Sequence, residues 1–295
     1  MLYLSKCFKN RSSCTILQVT KKLGGNTAGT ASWATNVGNE LSQVLSSVLT
    51  DSEGDGLGDM VTGLVERYRN SNVPPPKLLY VDRGCCSTKL KSHFHEWSNL
   101  VIRLYVWHFM RRFAAGCCSE SHALYATFMS RLSACVFEWD TEDVQSLYAA
   151  KRGQLSASGV WRKRKEDVAM HITKNELALH CKWHTQGVEE TTRLIKDLID
   201  TFSSRKGKDT IGIPLLNKTS IQQIWEEQKQ HISCIQDVDD PSIQLYTQTG
   251  TLKKGGVELL IYRCARGSTS LESFHLHVDR FIPGKNKQNP PLIKQ

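Results

Sequence analysis

The chain of 295 residues carries 38 Lys and Arg against 29 Asp and Glu, a formal net charge of +9. With 40% hydrophobic and 23% charged residues it can bury a sizeable core, which excludes wholesale disorder and fits one large domain or two small ones. The basic excess points to a polyanionic partner, nucleic acid first.

No apolar run approaches the roughly 18 residues that a membrane span needs. The opening MLYLSKCF is too short and too polar for a signal peptide. The ten cysteines are therefore expected as reduced thiols used as small core residues. Cys85–Cys86 and Cys117–Cys118 are adjacent pairs, which suit neither a zinc knuckle nor a disulfide. Cys181 and His184 have zinc-like spacing, and His171 and His180 lie nearby, but there is no matching second pair.

In chain order, 15–19 (TILQV) and 33–37 (WATNV) read as short strands, with Gly24, Gly25 and Gly29 between them. Residues 41–50 fit a third strand or a short helix. Leu57, Met60, Val61, Leu64, Val65 and Tyr68 then recur at helical spacing, with Asp55 and Asp59 near the start and Pro74–Pro76 beyond the end. Leu78–Val81 is a short apolar run ending at Asp82, the mark of a buried strand. Strand, crossover helix and strand together predict an α/β unit with a parallel pair. A helix over 87–97 should lead into a strand over 100–106.

Beyond it, 119–135 reads as a helix with Leu124, Phe128, Leu132 and Cys135 on one face. Another starts near Asp140, with Glu142 and Asp143 in its first turn. The stretch 150–235 reads as purely helical. Its stripes are Leu194, Ile195, Leu198, Ile199, Phe202 and, after a capping box at Thr219 and Gln222, Ile221, Ile224, Trp225, Gln228, Ile232. SSRKGKD (203–209) reads as a solvated linker. A hairpin closes 245–262, and FIPGKNKQNPPLIKQ reads as a disordered tail.

The phrases YVDRGCC, VWHFMRRF, FEWD, RGSTSLESFHLH and RFIPG, in that order, resemble transposon-derived proteins with a Mutator-like, RNase H-type DDE transposase core. The likeness spans about 14 to 284. It implies an α/β fold: an RNase H-like mixed sheet with flanking helices and a helical insertion before the segment that carries the last catalytic helix. The implied layout is an extension over 1–13, the first part of the core over 14–139, the insertion over 140–244, the last strand and helix over 245–284, and the tail over 285–295. The family's amino-terminal DNA-reading segment and most of its sequence beyond RFIPG have no counterpart, so the chain resembles a truncated or domesticated copy.

The resemblance implies two strand-end aspartates and a glutamate on a late helix. Asp82 matches the second acid and Glu272 the third, both as metal ligands; His108 matches a family histidine. The aspartate expected three residues before His108 is Tyr105, and the first acid's position falls on Cys14 or a neighbour. Such cores cleave phosphodiesters with two Mg²⁺ ions about 3.5–4 Å apart. Mg²⁺ is hard and prefers oxygen, so a thiol is a poor replacement. Mg²⁺ is thus the implied cofactor only where the site is intact. The residues also have plainer roles: Asp82 as a turn or cap residue, Glu272 as a first-turn helix acid, His108 as a core histidine.

WRKRK supplies Arg162, Lys163, Arg164 and Lys165, a phosphate or nuclear-localisation patch or a solvated helix face. Arg111, Arg112 and Arg266 are further candidates for DNA phosphate contacts. The combined expectation is a catalytically inactive, transposase-derived domain that binds DNA weakly and without sequence preference, in the nucleus and not in a membrane. The alternatives are an active Mg²⁺-dependent DDE transposase or nuclease, and a decayed element with no selected function.

Overall fold

Leu78–Val81 is buried at all four positions, as a strand covered on both faces should be. A computed structural model of the chain describes residues 1–8, 33–50, 57–159 and 165–266. Two compact units emerge, one within Met1–Tyr105 and one over Val106–Arg266.

The first unit holds a mixed five-stranded sheet of β1 (Leu2–Phe8), β2 (Trp33–Asn39), β3 (Val44–Thr50), β4 (Leu78–Val81) and β5 (Val101–Leu104), in the order β3-β2-β1-β4-β5. β1 to β3 form an antiparallel meander, and β4 runs parallel to both β1 and β5. The 41–50 ambiguity resolves as a strand, entered through a turn in which Asn39 Oδ1 accepts from the N–H of Leu41 and Gln43. Helix α1 (Leu57–Asn70) connects β3 to β4 and buries Leu57, Met60, Val61, Leu64 and Val65, the stripe read from the sequence. Two residues past its end the chain turns through Asn72, in the left-handed region at φ 51°. Helix α2 (Thr88–His93) is shorter than 87–97; Ser87 caps it by accepting from Leu90 N–H.

The strand beside β4 is β1, in a stretch expected as an extension, while 15–19 lies outside the described residues. Its seven-residue ladder with β2 and the Tyr3–Tyr80 ring stack at 5.5 Å fix that position. Neither partner is local, so the sequence of β1 alone carries little signal.

The second unit contains α3 (Val106–Ala114), α4 (Tyr125–Val136), β6 (Phe137–Trp139), α5 (Thr141–Ala157), α6 (Lys165–Ala169), α7 (Lys174–His180), β7 (Trp183–Thr185), α8 (Val188–Ser203), α9 (Lys218–Gln228), α10 (Ile232–Ile235), β8 (Tyr246–Lys254) and β9 (Val257–Cys264). The middle is therefore not purely helical, because β7 pairs antiparallel with β6. Asp140 caps α5 through its carboxylate, which accepts from the N–H groups of Glu142 and Asp143. α4 and α8 pack through Phe128 and Phe202, edge to face at 5.3 Å. Asn217, and not Thr219, caps α9 by accepting from Ser220 N–H. The β8–β9 hairpin lies over α5 and α7, where Leu147, Ala150, Cys181 and Leu259 form a buried cluster.

No helix among the described residues is long and apolar enough to cross a membrane. The final helix implied over 267–284, the tail, and Asp55 lie outside the described residues.

Candidate functional site

Strand β4 delivers Asp82 to the carboxyl edge of the sheet, where it is 6% exposed. Just beyond it the chain turns through Gly84 at φ 72°, a left-handed conformation that glycine adopts without strain, and Ser87 N–H donates to the Gly84 carbonyl. Asp82 thus sits where a parallel sheet ends between two neighbours, the usual place for a functional group in α/β folds.

Those neighbours define what the corner can do. On one side β1 pairs Leu4 with Val81, the last pair of that ladder, and Ser5 is the next residue along β1. The β1 sequence LYLSKCF contains neither Asp nor Glu. On the other side Tyr105 N–H donates to the Val81 carbonyl, and the Tyr105 ring meets Tyr80 edge to face at 6.5 Å. Neither flanking strand therefore carries the carboxylate that a two-metal centre would need there: β1 continues with Ser5, and β5 is followed by Tyr105. Among the described residues, no group of carboxylates lies within metal-bridging reach of Asp82. Glu272 and Cys14 lie outside the described residues.

His108 lies in the first turn of α3, in the second unit, half-buried and edge-on to Trp107 at 4.8 Å between ring centroids. The basic residues nominated from sequence have different fates. Arg111 is exposed but pairs with Glu120 at 2.7 Å and donates to Tyr125 Oη. Arg112 is half-buried and donates to Gln228 Oε1 at 2.7 Å. Arg266 is withdrawn from phosphate altogether. Its side chain is 5% exposed, its guanidinium pairs with both Asp237 oxygens, donates to the Trp183 carbonyl, and stacks 4.4 Å from the Trp183 ring centroid. Arg162, Lys163 and Arg164 lie outside the described residues, and Lys165 opens α6 with its side chain undescribed.

The zinc-like residues are likewise used elsewhere. His180 Nδ1 donates to the Leu260 carbonyl, His184 pairs with Glu138, and Cys181 is fully buried. A feature not evident from the sequence is a convergence in the second unit of Arg205, Lys208 and Lys218 on one concavity. The signal was SSRKGKD followed by a lysine one residue after a helix cap, but its composition alone reads as linker. The chain matches no known family model, no curated protein and no solved structure.

Proposed function

We propose that the first unit is an RNase H-like core descended from a Mutator-like DDE transposase, that it no longer cleaves DNA, and that the protein retains weak, sequence-independent binding to nucleic acid in the nucleus. The observation that carries the reading is the sheet. Three antiparallel strands precede two parallel ones in the order β3-β2-β1-β4-β5, with a buried aspartate at the end of β4. That is the arrangement in which such cores place their second acid, and the motif order around Asp82 agrees with it.

Loss of cleavage is the consequence of the flanking residues. With no Asp or Glu in β1 or β5 and Tyr105 on β5's exit, Asp82 has no carboxylate on either adjacent strand to share a pair of Mg²⁺ ions. Retained binding rests on charge. A net +9 supplies phosphate contacts, which give salt-dependent affinity with a Kd on the order of 10⁻⁴–10⁻⁶ M.

A supercoiled-plasmid nicking assay with Mg²⁺ or Mn²⁺ tests the first claim, using the wild type, Asp82→Ala and Tyr105→Asp. No nicking is expected from any of them. Metal-dependent nicking by the wild type that disappears in Asp82→Ala would overturn the inactive reading. DNA titration at two salt concentrations tests the second; affinity indifferent to salt, or confined to one sequence, would defeat it.

A further inference from the structure

In the second unit, the end of α8, the turn after it and the start of α9 enclose a concavity of about 550 Å³. That is the size of a small-ligand site. Phe202, Pro214 and Leu216 line it on the apolar side, and Arg205, Lys208 and Lys218 line it with positive charge. No acidic residue lines it, and none of the three cations pairs with a carboxylate among the described residues. Like charges gathered without a counter-charge cost free energy through mutual repulsion. A bound anion would relieve that cost.

The backbone holding these cations is built rather than loose. Ser204 Oγ accepts from Lys206 N–H, Lys208 N–H donates to the Arg205 carbonyl, and Leu215 N–H donates to the Gly207 carbonyl at 2.8 Å. Gly207 passes so close to Phe202 that a Cβ there would stand 1.6 Å from the Phe202 carbonyl oxygen. Asp209 folds the following turn by accepting from Ile211 and Ile213 N–H, and His122 Nε2 donates to the Ile213 carbonyl. Opposite, Cys118 N–H donates to the Leu215 carbonyl, which holds the exposed Cys118 at the pocket wall. The positive end of the α9 dipole, at Asn217 and Lys218, adds to the same field.

We propose that this pocket is a phosphate-binding site. Its cations fit a phosphodiester of nucleic acid or the phosphates of a small ligand equally well, because the recognised group is the same. The site lies in the second unit and does not depend on the RNase H-like reading of the first.

The test is protection of Cys118 from iodoacetamide, read by peptide mass spectrometry, with a single-stranded oligonucleotide or with inorganic pyrophosphate as probe. Fluorescence anisotropy of the labelled oligonucleotide is measured alongside. One variant carries Arg205→Gln, Lys208→Gln and Lys218→Gln. A control removes the same charge from exposed positions elsewhere in the unit, Arg152→Gln, Lys196→Gln and Lys253→Gln. All six residues are exposed, so both variants should fold, and matching circular dichroism melts would show it.

The expected result is protection of Cys118 and at least about a tenfold loss of affinity in the pocket variant only. Its salt slope should fall by about 2, since each phosphate neutralised on a single strand contributes about 0.7. Protection by both probes, or by the oligonucleotide alone, assigns the site to a nucleic-acid backbone. Protection by pyrophosphate alone assigns it to a small phosphorylated ligand and counts against DNA binding while leaving the pocket intact. Absence of protection by either probe, or equal losses in the pocket and control variants, overturns the proposal.

Discussion

Arg266 and Asp237 are joined at two points, Nε to Oδ1 at 2.9 Å and Nη2 to Oδ2 at 2.5 Å, with the arginine side chain 5% exposed. Asp237 in turn accepts from Thr185 N–H, and its own N–H donates to Thr185 Oγ1. Tyr246 Oη bonds both Trp183 backbone groups and receives Arg266 Nη1. The pair therefore ties the end of β9 to β7 and to the base of β8. Burial raises the Tyr246 phenol, which keeps it a neutral donor and acceptor throughout. Arg266→Ala leaves Asp237 without its fork-shaped partner and should cost about 3 kcal/mol in urea unfolding. Arg266→Lys should recover only part of that, since an ammonium cannot bridge both oxygens. A variant that lost DNA affinity with unchanged stability would return Arg266 to the phosphate role that its burial denies.

Gly153 on α5 faces the hairpin turn at Gly255. A Cβ on Gly153 would stand 2.0 Å from the Gly255 carbonyl oxygen, and one on Gly255 would stand 1.9 Å from that of Ala150. Both are backbone collisions, so neither can be relieved by a rotamer change. Gly153→Ala, ordinarily favourable inside a helix, is expected to destabilise by about 2 kcal/mol through displacement of the hairpin. Gly63, also helical but with no atom near its Cβ position, is the control, and Gly63→Ala should stabilise slightly. Thermal melts of the two variants moving in the same direction would contradict this contrast.

These features divide cleanly by range. Helix α1 was legible because its buried stripe repeats at 3.6-residue spacing within one segment, and the β8–β9 hairpin because Gly255–Gly256 separates two strand-like runs. Asp82 was legible as a strand-end residue because the run before it is wholly apolar. The features that escaped depend on distant partners. β1 is defined by pairing with β2 and β4, and Arg266 is buried because Asp237 and Trp183 enclose it. SSRKGKD has the composition of a linker, yet Gly207 is buried against Phe202 and paired with Leu215. Ser, Lys and Gly report the polarity of such a turn, not the contacts that close it. The candidate site was therefore legible in its central residue and illegible in its neighbours and in the basic pocket.

Cysteine reactivity should track burial. Burial pushes the Cys135 thiol up to about 11 and the Cys181 thiol up to about 12, with nearby carboxylates adding to both. At pH 8 a thiol at 11 is ionised at roughly one part in a thousand, and the thiolate is the nucleophile. Without ligand, iodoacetamide should label the exposed Cys118 in the native protein and reach Cys135 and Cys181 only after denaturation. Early labelling of Cys181 under native conditions would show that the cluster with Leu147 and Leu259 opens readily.

Stability should fall on acidification in two stages. Glu176, on α7, accepts from Lys151 of α5 and Lys254 of β8, and its second oxygen accepts from Thr173 N–H and Oγ1. Burial pushes this carboxyl up, but the two ammonium groups and the Thr173 bonds outweigh it and hold it well below its ordinary 4.5. A carboxyl depressed in the fold contributes stability that is fully present above its unfolded value and is lost as pH falls through the folded one. That stage therefore begins below about pH 4.5 and deepens towards strong acid. His231 is depressed below its ordinary 6.5 by burial first and by Arg112 second. A depressed histidine has the same sign, so its contribution is present above about pH 6.5 and is lost as the ring is forced to protonate at lower pH. Urea midpoints measured from pH 8 to pH 3 should hence decline gently below 6.5 and steeply below 4.5. Glu176→Gln should remove most of the steep stage and lower stability at pH 7, because the amide leaves two half-buried lysines without a counter-charge. His231→Gln should flatten only the gentle one. A pH profile unchanged in Glu176→Gln would mean that the three elements meeting at this carboxylate are held by packing alone.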